Sequence, residues 1–84
     1  MSRSKYIDLY HRTSTEAAKK ILKDGFSKGK EGGRVYFSTR PHGQAEGYGN
    51  TVVHVRVPLS IAHLDDEFPD GEQHYWVDYR DLNR

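Results

Sequence analysis

Apolar and polar residues alternate in several short stretches of the chain, which is the pattern of a strand with one buried face. The clearest is residues 51–57, where Val53, Val55 and Val57 alternate with polar side chains. Pro58 has no backbone N–H, so it is expected to stop that strand at position 57. The pattern predicts further strands at residues 6–11, 35–38 and 73–79.

One stretch has the spacing of an amphipathic helix. Thr13 and Glu16 stand three residues apart, as in a capping box, so the helix is predicted to begin at about Glu16. Gly25 is expected to end it, with Phe26 folding back onto the last turn. The predicted apolar stripe consists of Ala17, Ala18, Ile21 and Leu22.

The remaining segments indicate loops and short turns. Residues 27–33 are predicted to be a loop, residues 44–48 and 59–64 to contain short helical turns, and the acidic stretch 65–71 to be a solvated loop. Strands outnumber helices without a repeated strand-helix alternation, which favours an α+β fold on an antiparallel sheet. With 84 residues, the chain is expected to be one domain spanning positions 1–84.

Composition narrows the possible functions. The chain has 13 Lys and Arg, 12 Asp and Glu and no Cys. A net charge of +1 argues against a dedicated nucleic-acid binder. The lack of cysteine excludes disulfides, thiolate zinc sites and a cysteine nucleophile, and is compatible with a cytoplasmic location. No apolar run approaches the roughly 20 residues that cross a bilayer, so no membrane association is expected.

Common catalytic and metal-binding motifs are missing from the sequence. The histidines at positions 11, 42, 54, 63 and 74 include no pair four residues apart, so no metal site is predicted. There is also no G-x-S-x-G elbow, phosphate-binding Walker loop or dinucleotide-binding glycine pattern. Taken one at a time, the polar and aromatic residues are best explained as ordinary surface or core residues.

The order of several short motifs is more informative. Leu-Tyr-His-Arg-Thr at positions 9–13 precedes a helix closing on Gly-Phe at 25–26, and Gly-Arg-Val-Tyr-Phe-Ser follows at 33–38. A Tyr-bearing segment at 45–49 and two more predicted strands complete the order. This order resembles the catalytic core of the ADP-ribosyltransferases of the diphtheria-toxin and poly(ADP-ribose) polymerase type. The resemblance implies a small split antiparallel β-sheet with one main helix, and NAD as co-substrate.

The resemblance assigns roles residue by residue. It places His11 on the adenosine ribose of NAD, with the Thr13 hydroxyl beside it. It makes Tyr36 and Tyr48 the two aromatic residues that sandwich the nicotinamide, and Ser38 the small residue at the carboxamide. Aromatic faces suit this ligand because oxidised nicotinamide is a cation, and a cation–π contact contributes about 0.5–2 kcal/mol.

Two positions depart from the family pattern. His74 stands where the family has its catalytic Glu, which stabilises the cation formed when the glycosidic bond breaks. Glu72 lies two residues earlier, on the same face of a strand, and is expected to supply the carboxylate. Arg12 replaces a Gly, and its guanidinium is expected to pair with a phosphate of the dinucleotide.

Three functions follow from the resemblance. The first is an NAD-dependent mono-ADP-ribosyltransferase whose acceptor, a protein, nucleic acid or small molecule, is unidentified. The second is an inactive module that binds NAD, ADP-ribose or a protein partner. The third is an NAD-dependent RNA 2′-phosphotransferase using His11, Arg12, Arg56 and His74 for phosphate binding and proton transfer. The thin core and many aromatic residues are compatible with a homodimer.

Overall fold

The computed structural model describes residues 5–29, 32–42 and 49–83. In these ranges the chain forms a five-stranded antiparallel sheet with the order β3-β1-β2-β5-β4. The predicted α+β fold on an antiparallel sheet is confirmed. The elements are β1 (Tyr6–Thr13), α1 (Thr15–Asp24), β2 (Arg34–Ser38), β3 (Thr51–Pro58), a 3-10 turn (Leu59–Ile61), β4 (His63–Glu67), β5 (Gln73–Asp78) and α2 (Tyr79–Leu82).

One face of the sheet carries the core, as the alternation requires. The buried cluster consists of Leu9, Val35, Phe37, Val57 and Val77. Paired residues on neighbouring strands point to the same face, so these side chains meet across the sheet. On the opposite face of β3, His54 and Arg56 are exposed, which confirms that one face of this strand is solvated.

The helix begins one residue later than the capping-box interpretation requires. Ser14 is the N-cap, and its hydroxyl accepts a hydrogen bond from the N–H of Ala17. Thr13 cannot be the cap because β1 continues through it and pairs it with Thr51. The predicted end is correct: Gly25 has a φ of 83° and donates its N–H to the carbonyl of Ile21. Glycine tolerates this left-handed conformation at little cost.

The predicted apolar stripe of α1 is wrong at one position. Ala18 is buried, and Ala17 and Ile21 are half-buried, but Leu22 is 81% exposed. At 100° per residue, Leu22 lies about 40° beyond the buried Ala18 and about 140° from Ala17, at one edge of the stripe. Its side chain is therefore left outside the packed face.

Pro58 belongs to β3, contrary to the prediction that the strand stops before it. Leu59 donates its N–H to the carbonyl of Lys5 and continues the β1–β3 register. Hydrogen-bonded pairs alternate along an antiparallel ladder, so the odd residues of β3 bond to β1 and the even residues face away. The N–H that Pro58 lacks would therefore point to the outer edge, where β1 does not need it.

The loop predicted for the acidic stretch is wrong in its first part. Asp65, Asp66 and Glu67 lie in β4, an edge strand whose five residues are all exposed, rather than in a loop. A strand exposed on both faces has no apolar alternation, so the sequence pattern could not reveal it. The last strand also ends earlier than predicted, because Asp78 caps α2 and Tyr79 begins it.

The pairing between β1 and β2, in the middle of the sheet, is short. β1 and β2 share a single residue pair, Tyr10 with Ser38, whereas β1 and β3 pair along eight residues. Beyond that pair the ring of Phe26 packs against a side chain of each strand, with its centroid 6.0 Å from that of His11 and 5.9 Å from that of Phe37. The sheet is continuous, but it opens into two halves at this point.

A candidate active-site cleft at the opening of the sheet

The opening between β1 and β2 forms a cleft of about 760 Å³. Its walls are the end of β1, one side of α1, the segment 25–29 and β2, and His74 and Asp65 reach it from the far strands. The volume lies within the range of about 300–1,000 Å³ typical of small-molecule and cofactor sites. Because the cleft passes through the sheet, side chains from both faces of the sheet line it.

His11 lies at the point where β1 and β2 separate. Its Nδ1 is 2.8 Å from the carbonyl oxygen of Tyr36. A carbonyl only accepts, so Nδ1 carries the proton, and in the neutral ring Nε2 is left as an acceptor. The imidazole thus takes over a carbonyl that the β1–β2 ladder leaves without a partner. A histidine fixed in this way can accept a hydrogen bond from a ligand hydroxyl at Nε2.

A buried carboxylate lies under the other end of the cleft. Glu72 is 0% exposed, and its Oε2 accepts hydrogen bonds from the Ser38 hydroxyl at 2.6 Å and from Nε2 of His74 at 2.9 Å. Ser38 also accepts the N–H of Arg40 at 3.0 Å. Since Oε2 is the acceptor, the proton of the neutral His74 ring is on Nε2, and Nδ1 is the acceptor.

This arrangement separates the roles of the two candidates at the family's Glu position. Glu72 lies beneath the wall and is not among the residues that line the cleft, whereas the side chain of His74 is 21% exposed and does line it. The aromatic ring of Phe68, with its centroid 4.7 Å from that of His74, packs edge-on against it. The group presented to a ligand is therefore the imidazole, and the carboxylate holds it.

The other residues assigned from the resemblance fall on two sides of the cleft. Thr13 and Tyr36 both line it, and Tyr36 is 36% exposed, so its ring is accessible to a ligand. Ser38 lines it as well, although its hydroxyl is engaged by Glu72. Tyr48 lies outside the described residues. The structure thus brings Thr13, Tyr36 and Ser38 to one cavity with His11 and His74.

The guanidinium of Arg12 is hydrogen-bonded to the segment that follows β2. Its Nε and Nη1 donate to the carbonyls of Pro41 and Gly49, at 3.2 and 2.8 Å, and its Nη2 is 2.8 Å from Nδ1 of His42. The guanidinium therefore joins the two described ends of the segment that follows β2. A phosphate partner for Arg12, as the sequence suggested, would have to compete with these bonds.

Asn83, at the C-terminal end of the described residues, fixes one wall of the cleft. The side-chain amide of Asn83 accepts the N–H of Phe26 at 2.9 Å and donates to the Phe26 carbonyl. This pairing fixes the backbone on which the Phe26 ring stands, and that ring packs against His11. This contact was not predictable from the sequence, because the two residues are 57 positions apart.

Several further charged residues line the cleft. Asp65 reaches it from β4, at a place where the pairing with β5 shifts register. Lys20, Lys28 and Arg34 add positive charge to its lining. The sequence could not place Arg34 and Asp65 here, because their positions depend on strand register. Arg56, one of the residues named for phosphate transfer, instead lies over the ring of Tyr6.

Within the described ranges, no helix is long and apolar enough to cross a membrane. The same residues contain no group of three or more His, Cys, Asp or Glu side chains placed to hold a metal ion. Comparison with known proteins gives no match to a family model, to a curated protein or to a solved structure.

Proposed function

We propose that this chain is an NAD-dependent mono-ADP-ribosyltransferase whose active site is the cleft between β1 and β2. The observation that carries the proposal is the convergence of His11, Thr13, Tyr36 and His74 on one cavity. These residues come from three separate motifs whose order resembles that of the transferase family. The same cavity has the volume of a cofactor site.

The residues present suit the parts of NAD. Nε2 of His11 is an acceptor, as a ribose hydroxyl requires, and the accessible ring of Tyr36 suits a cationic nicotinamide. Lys20, Lys28 and Arg34 supply positive charge for the two phosphates. The cleft thus offers partners for a ribose hydroxyl, the nicotinamide ring and the two phosphates.

NAD supplies a glycosidic bond whose electron pair leaves with neutral nicotinamide, while the acceptor forms the new bond to the ribose carbon. The protein must then remove one proton from the acceptor. Nδ1 of His74 is the basic atom for this step, and the carboxylate of Glu72 stabilises the resulting imidazolium through Nε2. In this scheme His74 is the catalytic residue, and Glu72 is a positioning residue.

One observation favours a second function. The carboxylate that stabilises the positive ribose in the family does not line the cleft here, because Glu72 is fully buried. A cleft without that carboxylate suits a module that binds NAD or ADP-ribose and leaves the glycosidic bond intact. Such a module binds NAD or ADP-ribose in the same cleft and releases no nicotinamide.

Proton NMR of the protein with NAD distinguishes the two functions. Growth of free nicotinamide signals is expected for the transferase, with water as the acceptor when no other is supplied. Replacing a general base typically lowers a rate by about 100-fold or more, and this loss is expected for His74→Ala. The matched control is His54→Ala, since His54 is exposed on β3 and is absent from the cleft lining.

Each of three NMR results supports one of the two functions or overturns both. Nicotinamide release that survives in His54→Ala and falls in His74→Ala and Tyr36→Ala supports the transferase. Broadened NAD signals without release, lost in Tyr36→Ala, overturn the transferase in favour of the binding module. Sharp NAD signals at millimolar concentrations of ligand overturn both functions.

A further inference from the structure

One side-chain amide binds the backbone of Phe26 at both of its hydrogen-bonding groups. Oδ1 of Asn83 accepts the Phe26 N–H at 2.9 Å, and Nδ2 donates to the carbonyl of the same residue. Phe26 belongs to no helix or strand, so a side chain supplies the partners that a regular element would otherwise give. The Asn83 amide thus pairs with this residue as an opposite residue of an antiparallel strand does.

The end of α1 is shaped to admit this amide. Gly25 directly precedes Phe26, and a Cβ at Gly25 would lie 2.7 Å from Oδ1 of Asn83. Glycine is therefore required at this position both for its φ of 83° and for the close approach of the Asn83 side chain. Leu82 packs against the hydrophobic core and so fixes the place from which Asn83 reaches Phe26.

The ring of Phe26 is one of two rings that confine the imidazole of His11. The centroid of the His11 ring is 6.0 Å from that of Phe26 and 5.5 Å from that of Phe37. Nδ1 of His11 is also bonded to the carbonyl of Tyr36 at 2.8 Å. With a ring on each of these contacts and one nitrogen bonded, the imidazole keeps one orientation, in which Nε2 is the acceptor for a ligand.

We propose that Asn83 is a positioning residue of the NAD site and that it acts on His11 through the ring of Phe26. The inference rests on the proposed function for its ligand, because the resemblance places His11 on the adenosine ribose of NAD. Among the described residues, Asn83 lies outside the lining of the cleft, so its effect must pass through Phe26. Without the amide, the Phe26 backbone is released and the imidazole gains other orientations. The apparent affinity for NAD then falls with the fraction of molecules that present Nε2 correctly.

The first measurement is made without NAD. At about pH 8, where an imidazole is neutral, proton–nitrogen NMR correlations of the histidine rings show which nitrogen carries the proton. In the wild type His11 is expected to carry it on Nδ1. In Asn83→Ala the proton is expected to divide between the two ring nitrogens. The matched control is Asn50→Ala, the same change at an exposed position outside the cleft lining, which is expected to leave the proton on Nδ1.

The second measurement is the dissociation constant for NAD. It is expected to rise about 10-fold in Asn83→Ala, as it does when about a tenth of the molecules keep the competent orientation. Nicotinamide release at saturating NAD is expected to fall by less than about 2-fold, because a contact remote from the glycosidic bond contributes equally to the bound state and the transition state. Asn50→Ala is expected to change neither quantity.

A double-mutant cycle tests the route through the ring. Phe26→Leu keeps an apolar side chain in the core, removes the ring beside His11, and is expected to weaken NAD binding as Asn83→Ala does. If Asn83 acts through that ring, the double variant also loses about 10-fold in affinity, whereas independent effects would multiply to about 100-fold.

Circular dichroism establishes that each variant is folded before its NMR spectra and affinity are interpreted. If Asn83→Ala fails to fold, Asn83→Asp carries the test, because it keeps an acceptor for the Phe26 N–H and places an oxygen against the Phe26 carbonyl. A His11 proton that stays on Nδ1, an unchanged dissociation constant for NAD, or multiplied losses in the double variant overturns this inference and leaves the proposed function standing. Wild-type protein that does not bind NAD overturns both, and this is known before any variant is compared.

Discussion

Removing the Ser38 hydroxyl tests whether the buried carboxylate depends on the contacts described above. Ser38 is 1% exposed, donates to Glu72 at 2.6 Å and accepts the N–H of Arg40 at 3.0 Å. A hydrogen bond to a charged group contributes about 1.5–3 kcal/mol, and the N–H of Arg40 also loses its acceptor, whereas Glu72 keeps the hydrogen bond from His74. Ser38→Ala is therefore expected to lower the free energy of unfolding by about 2–3 kcal/mol.

That loss is large for a domain of this size. At about 0.05–0.15 kcal/mol per residue, a chain of 84 residues is stable by about 4–13 kcal/mol. The melting temperature is expected to fall by about 10–20 °C, because 1 kcal/mol corresponds to about 4–8 °C for small domains. Urea unfolding followed by the fluorescence of Trp76, the single tryptophan, measures the change.

The matched control is Ser60→Ala, which makes the same chemical change at an exposed position in the 3-10 turn. Its effect is expected to stay within about 0.5 kcal/mol. If Ser38→Ala costs no more than Ser60→Ala, the Ser38 hydroxyl does not stabilise the carboxylate, and the proposed anchoring of His74 through Glu72 loses its support.

Two further predictions concern the backbone and acid stability. A Cβ on Gly49, where φ is 154°, would collide with the backbone of Thr13, so Gly49→Ala is expected to cost about 2 kcal/mol or more in urea unfolding. Gly32→Ala, whose Cβ meets no atom within 4 Å, should cost clearly less, and equal losses would contradict the collision. Hydrogen bonds from Arg80 lower the pKa of Asp78 from 3.8 to about 2, so the stability this carboxylate contributes is complete above pH 4 and is lost as the pH falls towards 2. A carboxyl carbon NMR titration should find this pKa returning towards 3.8 in Arg80→Ala, and an unchanged value would contradict the assigned cause.

The strands with one buried face were predictable because their side chains alternate. Val53 and Val57 are buried and His54 is exposed, as the alternation of apolar and polar residues predicts. β4 was not predictable, because an edge strand exposed on both faces has no apolar period. The end of β3 was misplaced for a different reason: whether Pro58 is tolerated depends on which way its missing N–H would point.

The candidate site was predictable only in part. The motif order singled out His11, Thr13 and Tyr36, and all three line the cleft. The strand period correctly put Glu72 on the same side as His74, since the two side chains are hydrogen-bonded. Burial could not be predicted from that period, because it depends on Ser38, a residue 34 positions away in the chain.

The burial of Glu72 bears on why the residue is present. Burying a charged group is costly, and replacing a buried polar cluster with apolar side chains of similar volume is often neutral or stabilising. Anchoring His74 would account for a carboxylate in so thin a core. The double variant Ser38→Ala, Glu72→Met is therefore expected to be more stable than Ser38→Ala alone and yet to release nicotinamide at least 10-fold more slowly than wild type. Urea unfolding and the NAD time course, run on the same samples, measure both quantities. If the double variant is less stable than the single one, the carboxylate contributes net stability, and its presence needs no catalytic explanation.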